Sequence, residues 1–115
     1  MDATFGQLLR DVRRSKGVNQ RELAAKVGVD FSYISKLEND RLPPPAADTL
    51  VKICEALGVE PDELLSASGK VPSDVTNMLA ENPSALQFVR EARRMGLTGS
   101  DWERLGKALR RMRKE

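Results

Sequence analysis

The sequence predicts an all-α fold, with a five-helix domain followed by a small helical hairpin. Three observations indicate it. Apolar residues recur at three- and four-residue intervals along the 115-residue chain, which is the period of an amphipathic helix. No stretch of useful length alternates between apolar and polar residues, as a half-buried strand would. Glycines, prolines and capping residues divide the pattern into segments of ordinary helix length.

Two helices are predicted in the first 28 residues. The first ends at Gly17, and its apolar face consists of Phe5, Leu8, Leu9 and Val12. The second begins after Asn19, whose side chain can cap it while Glu22 reaches back in a variant of the capping box. Gly28 ends the second helix, because glycine readily adopts the left-handed backbone of a helix end.

The third helix should run from Asp30, a capping residue, to about Asn39. Residues 40–45 end in three prolines and cannot be helical, because proline lacks an amide hydrogen and restricts the residue before it. A fourth helix follows and ends at Gly58, with Leu50, Ile53, Cys54 and Leu57 on its inner face. Pro61 suits the first position of a short fifth helix.

Small residues, a glycine and a proline at positions 66–72 predict a boundary between two parts. We therefore divide the chain into a domain at 1–68, a linker at 69–82 and a hairpin at 83–115. A short helix is expected within the linker, near 73–81.

The hairpin itself consists of two predicted helices. Its first helix begins at Asn82-Pro83, a cap followed by a proline in the first turn, and ends at Gly96. Its second helix opens with Ser100 and Glu103, which are spaced as in a capping box.

The composition argues against several classes of function. Histidine is absent, which removes the commonest general base and the usual metal ligand. The single Cys54 excludes an intramolecular disulfide and a cysteine-based zinc site. We therefore expect a protein that is not an enzyme and has no cofactor and no metal. Since the sequence has no secretory signal and no apolar run near the roughly 20 residues that span a bilayer, we expect a cytoplasmic protein without a membrane partner.

Charge is unevenly distributed along the chain. Residues 1–69 contain nine Lys or Arg and eleven Asp or Glu, a net charge of −2, whereas residues 70–115 contain ten and six, a net charge of +4. The predicted five-helix domain is therefore not basic overall. If it binds nucleic acid, phosphate contacts have to come from a local patch of side chains.

The segment 20–39, QRELAAKVGVDFSYISKLEN, carries the most informative motif. Its apolar positions are those that two short crossed helices bury against each other, namely Leu23, Val27, Ile34 and Leu37. Ala24 is small at the closest approach, Gly28 permits a left-handed turn, and Val29 fills the corner. This pattern resembles the XRE family, whose DNA-binding domain is that of lambda-type phage repressors. The resemblance covers about residues 4–66 and implies a five-helix, lambda-repressor-like DNA-binding domain.

The outward side of the third helix is interpreted as a surface for base contacts. It consists of Phe31, Ser32, Tyr33, Ser35 and Lys36, followed by Asn39. Phe31 can contact a thymine methyl, and Lys36 suits the O6 and N7 acceptors of guanine. The hydroxyls of the two serines can either donate or accept a hydrogen bond, so each is weakly selective. The alternative is that Phe31 and Tyr33 partly pack on the second or fourth helix.

The resemblance implies further roles around this helix. The first residue of the second helix contacts phosphate in the family, which corresponds to Gln20, and we extend this expectation to the neighbouring Arg21. Two residues after the third helix match further DNA-backbone positions, Asn39 and Arg41. A family ion pair that ties the first helix to the end of the third corresponds to Arg13 and Glu38, and we expect it to be partly buried.

The hairpin presents more apolar surface than two helices of this size can cover. One seam, at the spacing of a coiled coil, consists of Trp102, Leu105, Leu109 and Met112. The preceding helix adds Leu86, Phe88 and Val89. A partner chain is the natural cover for such a surface.

Residues 85–113 also resemble the helical hairpin of the Sin regulators. In that family the hairpin self-associates and also binds an antirepressor that carries the same hairpin. The resemblance therefore implies a homodimer or homotetramer and an antirepressor as a further protein partner.

These observations predict a sequence-specific regulator of transcription that binds double-stranded DNA, a repressor acting as a dimer or tetramer on palindromic operators. The alternative is a protein-interaction module, such as an antitoxin or adaptor, whose DNA binding serves autoregulation. DNA binding by the protein alone favours the first, and DNA binding only with a partner favours the second.

Overall fold

The computed structural model describes residues 3–113, which form eight α-helices and no strand. The helices are α1 Phe5–Ser15, α2 Gln20–Val27, α3 Phe31–Glu38, α4 Ala47–Leu57, α5 Asp62–Ser68, α6 Ser73–Glu81, α7 Pro83–Met95 and α8 Gly99–Met112. The all-α prediction is confirmed. The outermost residues of the predicted segments, 1–2 and 114–115, lie outside the described residues.

The first two helices begin with complete capping boxes. Asn19 accepts from the amide of Glu22 at 2.8 Å and its own amide donates back to the Glu22 carboxylate, as the sequence predicts. Thr4 and Gln7 form an equivalent box on α1, which is not among the predicted caps. Asp30 takes the N-cap position of α3, but its side chain makes no capping hydrogen bond, so its expected capping role is wrong.

One hydrophobic core holds α1 to α5 together. The completely buried apolar side chains come from four of these helices and are Leu9, Leu23, Ile34, Leu37, Leu50, Ile53 and Cys54, joined by Leu64 of α5 at 1% exposure. The turn between α2 and α3 places Gly28 at φ +83°, a left-handed conformation that side chains with a Cβ rarely adopt. Pro61 is the N-cap of α5 and stands one position before its first helical residue, so its predicted place is wrong by one position, and no side-chain hydrogen bond caps this helix.

A close contact between α1 and the end of α3 fixes how these helices cross. A Cβ on Gly6 would lie 2.6 Å from the backbone oxygens of both Leu37 and Glu38, so only glycine allows this approach. Asp40, at φ +56°, then accepts hydrogen bonds from the hydroxyl of Thr4 at 2.6 Å and from the amide of Gly6 at 2.9 Å. These contacts support the start of α1 from the far end of α3.

The chain divides into two compact units between Thr76 and Asn77. The helix expected near 73–81 is present as α6 and crosses this point. At its start the amide and hydroxyl of Ser73 donate to the Asp48 carboxylate of α4, at 3.2 Å and 3.0 Å, which anchors the first turn of α6 to the first unit.

The second unit contains α7 and α8. Asn82 precedes α7 and Gly96 ends it, as predicted, although the Asn82 side chain makes no capping hydrogen bond. The prediction that Ser100 and Glu103 cap the last helix is wrong. Thr98 is the N-cap, since its hydroxyl accepts from the amide of Asp101 and the Asp101 carboxylate accepts from the amide of Thr98. These hydrogen bonds hold the pKa of Asp101 below its ordinary value.

Among residues 3–113 no helix combines the length and the apolar composition that crossing a bilayer requires.

Candidate nucleic-acid interface

The outer face of α3 carries most of the residues predicted to contact bases. α3 packs against α2 and buries Ile34 and Leu37 completely. Ser32 and Lys36 lie on the other side and are exposed, while Ser35 is half-buried. A short helix with an apolar inner face and small polar groups outside can enter a major groove with its first residues toward the base edges.

The two aromatic residues of α3 are shared between this face and the core. Phe31 and Tyr33 are half-buried and pack against the core cluster, in keeping with the packing alternative. The guanidinium of Arg21 lies 4.4 Å from the centre of the Phe31 ring, a cation–π contact that positions both side chains. Burial raises the pKa of the Tyr33 phenol, so at neutral pH it keeps its proton and can donate a hydrogen bond.

The structure contains an ion pair at Arg13 and Glu38. Nε of Arg13 donates to Oε2 of Glu38 at 2.6 Å, and Nη2 donates to Oε1 at 2.9 Å. The side chains are 8% and 0% exposed, respectively. Nη1 of Arg13 donates to the carbonyl of Val18 at 2.9 Å, so the guanidinium also secures the loop before α2. The pair ties α1 to the end of the helix that would enter the groove.

The surroundings of this pair keep both groups charged. Burial acts to raise the pKa of the Glu38 carboxyl, but hydrogen bonds from Arg13 and Gln20 and the charges of Arg13 and Arg10 outweigh burial and hold that pKa below its ordinary value. The hydrogen bond to Glu38 raises the pKa of Arg13, although burial opposes it. The α1–α3 link therefore stays ionised across the neutral pH range.

The residues predicted to contact the DNA backbone lie around Glu38. Nε2 of Gln20 donates to Oε1 of Glu38 at 3.0 Å, which orients the amide at the start of α2. Asn39 is exposed, yet its Nδ2 donates to the carbonyl of Ser35 at 2.9 Å. Arg41 is exposed, and within residues 3–113 its guanidinium has no hydrogen bond or ion pair.

Arg10 belongs to the same cluster, and sequence reasoning missed it. Its Nη2 donates to Oδ1 of Asn39 at 2.9 Å and to the carbonyl of Glu38 at 3.2 Å. Its Nε lies 3.6 Å from Oε1 of Glu38. Because Arg10 precedes Arg13 by three residues, the two side chains share one face of α1, and this spacing is a signal that could have identified it.

The apolar residues predicted for oligomerisation are exposed on the second unit. Those of α7 are Leu86, Phe88 and Val89, and those of α8 are Trp102, Leu105, Leu109 and Met112. Their exposed fractions run from 37% for Leu105 to 70% for Met112, and Ala92 is the single buried residue among those described in α7 and α8. The two helices thus leave an apolar surface that neither covers.

Other chemically reactive groups are sparse. In the part of the chain that the structure describes, no three His, Cys, Asp or Glu side chains gather closely enough to hold a metal ion. Cys54 is completely buried, and burial raises the pKa of its thiol, which keeps it in the unreactive protonated form.

Comparison with known proteins agrees with this geometry. The helix-turn-helix family model matches residues 9–64. The HTH-type transcriptional regulator y4dJ of Sinorhizobium fredii is 38% identical over 72 residues, which cover 63% of this chain and 92% of the relative. The crystal structure of SinR, the master regulator for biofilm formation, in complex with DNA matches with 35% identity and a TM-score of 0.51. That match covers 54% of this chain and 98% of SinR in that structure.

A second solved structure extends the similarity along nearly the whole chain. The complex of the SinR and SinI proteins matches with a TM-score of 0.53 and 24% identity, covering 97% of this chain and all of the matched chain. At that identity the match establishes the fold and nothing further. Because the helix-turn-helix family model matches residues 9–64 and this chain covers 92% of y4dJ at 38% identity, the chain belongs to the XRE-type family of helix-turn-helix transcriptional regulators.

Proposed function

We propose that this protein is a sequence-specific repressor that binds double-stranded DNA as a dimer or tetramer on palindromic operators. The observation that carries the proposal is the outer face of α3, where Ser32 and Lys36 stand exposed above a completely buried inner face. The crystal structure of the similar SinR in complex with DNA supports it. Repression would follow from occupying a promoter, without a cofactor.

In this proposal the base contacts come from α3. Lys36 is assigned to guanine, because its ammonium can donate to the O6 and N7 acceptors, and Ser32 and Ser35 are assigned weaker hydrogen bonds. Phe31, which is half-buried, is assigned to a thymine methyl, and Tyr33 contributes its hydroxyl. Direct DNA-backbone contacts are assigned to Gln20, Arg21 and Arg41, and Asn39 is assigned to the same backbone-binding surface.

The hairpin is proposed to join two or more copies. A single short recognition helix reads few base pairs, so two copies across a palindrome give useful specificity. The exposed apolar residues of α7 and α8 are the surface for this association, because burying them in a partner removes them from water. The overall fold shared with the SinR and SinI complex also supports an antirepressor-like protein as a further partner of the hairpin.

Binding to DNA is tested by selecting high-affinity duplexes from a random pool with the full-length protein, and then measuring two variants. We expect Lys36→Ala to relax the preference at one base pair, by about 1–3 kcal/mol. We expect Arg41→Ala to weaken selected and random duplexes by the same factor. The absence of any selected sequence at physiological salt would contradict the proposal. DNA binding that requires a co-purified partner would favour an antitoxin or adaptor instead.

Association is tested by light scattering on the full-length chain. Leu109→Glu places a charge on a side chain that is 62% exposed in one copy, so it should leave each copy folded and shift the assembly toward monomer. Ser100→Glu adds the same charge at an exposed position at the start of α8 and should leave the assembly intact. Equal molar masses for both variants and the parent protein would contradict the role of this surface.

A further inference from the structure

We propose that Arg10 of α1 binds a DNA phosphate and that Asn39 acts as its positioning residue rather than as an independent phosphate contact. This inference rests on the proposed DNA-binding function. It is carried by the hydrogen bonds at the end of α3, where side chains from α1, α2 and α3 converge on Glu38.

Both ends of the Asn39 side-chain amide are engaged within the protein. Its Oδ1 accepts from Arg10 at 2.9 Å, and its Nδ2 donates to the carbonyl of Ser35 at 2.9 Å. An asparagine amide has two donor hydrogens and an oxygen with two lone pairs, so one donor is committed to the helix, one lone pair is committed to Arg10, and one donor hydrogen stays free. The side chain is therefore held in one orientation that serves the guanidinium beside it.

The guanidinium of Arg10 is held by the protein on one side only. Both hydrogen bonds that the structure gives its guanidinium leave from Nη2, to Asn39 and to the carbonyl of Glu38. Among the described residues Nη1 has no partner, and the side chain is 30% exposed. A guanidinium with one edge fixed by the protein and another edge free is ordered before it meets a ligand, and its planar donors match phosphate oxygens.

The cluster around Glu38 carries one positive charge more than it pairs. Arg13 pairs with Glu38 through two hydrogen bonds and neutralises it, so the positive charge of Arg10 remains in excess within the cluster. Nε2 of Gln20 and Nε of Arg10 lie 3.0 Å and 3.6 Å from the same Oε1 atom of Glu38. If Gln20 meets the DNA backbone as proposed, Arg10 meets it at the same place.

Arg10 lies in a part of the chain that is not basic overall. The first 69 residues carry a net charge of −2, so phosphate binding needs a local positive patch. Arg10, which contacts the end of α3 from the middle of α1, and Arg41, which follows α3 in the chain, supply two such charges near this end of α3.

The experiment is a double-mutant cycle on the full-length protein with the selected duplex, measured by fluorescence anisotropy at several salt concentrations. We expect Arg10→Ala to weaken binding about tenfold or more. It should also reduce the slope of log affinity against log salt by about 0.9. Asn39→Ala should weaken binding by up to about tenfold, because a freed arginine has to be ordered on binding. It should leave the salt slope unchanged.

The decisive measurement is the double variant. If Asn39 acts only through Arg10, then Asn39→Ala has no further effect in the Arg10→Ala background. If Asn39 contacts phosphate by itself, the two losses multiply, and the positioning role is refuted. Arg14→Ala is the matched control, because it removes the same charge from an exposed side chain one turn further along α1.

Two outcomes separate this inference from the proposed function. A parent protein that selects no DNA sequence overturns the proposed function itself. A parent protein that binds normally, with Arg10→Ala no weaker than Arg14→Ala, overturns the inference alone. Arg10→Lys keeps the charge and loses the planar fork, so it should retain the salt slope with reduced affinity, and it replaces Arg10→Ala in the cycle if that variant unfolds.

Discussion

The sharpest stability prediction concerns Glu38→Gln. In the protein, the Glu38 carboxylate is 0% exposed and accepts three hydrogen bonds, two from Arg13 at 2.6 Å and 2.9 Å and one from Gln20 at 3.0 Å. The side-chain amide of a glutamine would point an N–H group at one of the N–H groups of Arg13 or Gln20. It would also leave the Arg13 charge buried without a counterion. Breaking one side of such a pair costs about 3–5 kcal/mol.

Thermal unfolding followed by circular dichroism measures this loss. A loss of about 1 kcal/mol in the free energy of unfolding lowers the midpoint by about 4–8 °C in a domain of this size. We therefore expect the Tm of Glu38→Gln to fall by about 12 °C or more. Glu55→Gln removes the same charge from an exposed position on α4 and should change stability by no more than about 0.5 kcal/mol. Equal midpoints for the two variants would refute the reasoning. Replacing both partners, as in Arg13→Met with Glu38→Leu, should recover much of the loss.

The pH dependence has a definite sign. Because the folded protein holds the pKa of Glu38 below its ordinary value, the carboxylate stabilises the fold fully above the unfolded-state pKa, which is about 4.3. That contribution disappears as the pH falls through the lower pKa of the folded state. The difference between the parent protein and Glu38→Gln should therefore be constant near pH 7 and shrink in acid below about pH 4. A difference that grows in acid would contradict the assignment.

Two further substitutions test the packing and the capping. Gly6→Ala would bring a Cβ to 2.6 Å from two backbone oxygens of α3 and should cost about 1–3 kcal/mol in a denaturant titration, whereas Gly99→Ala, with nothing within 4 Å, should cost nothing. Thr98→Ala removes the true cap of α8 and should lower hydrogen-exchange protection of the Asp101 amide about fivefold, for about 1 kcal/mol. Ser100→Ala should leave that protection unchanged. If Ser100→Ala lowered the protection and Thr98→Ala did not, the cap at Ser100 predicted from the sequence would be correct instead.

Local signals made much of the fold predictable. The spacing of Leu23, Ile34 and Leu37 with a glycine between them indicates two crossed helices, and the structure buries all three. Gly28, Gly58 and Gly96 end helices where predicted, since each is left-handed. Helix ends of this kind depend on a few neighbouring residues, so the sequence contains the necessary information.

Caps were less predictable, because several residues in a short stretch compete for one role. Thr98 and Ser100 both have hydroxyls three residues before an acidic side chain, and the sequence offers no means of choosing between them. In the structure α8 begins at Gly99, which makes Thr98 the N-cap. Asp30 shows the related case in which a residue of the right type stands at the N-cap and makes no hydrogen bond.

By itself, the sequence determined the helical fold class, the helix-turn-helix and the apolar surplus of the hairpin, because periodicity and turn residues act over a few positions. The family resemblance singled out Arg13 and Glu38. Only the tertiary structure decided that Gln20, Arg10 and Asn39 gather around that pair and that Gly6 lets α1 approach the end of α3. The longest-range of these hydrogen bonds, from Arg10 to Asn39, joins residues 29 positions apart. These contacts depend on the angle at which packed helices cross, a quantity that no local pattern encodes.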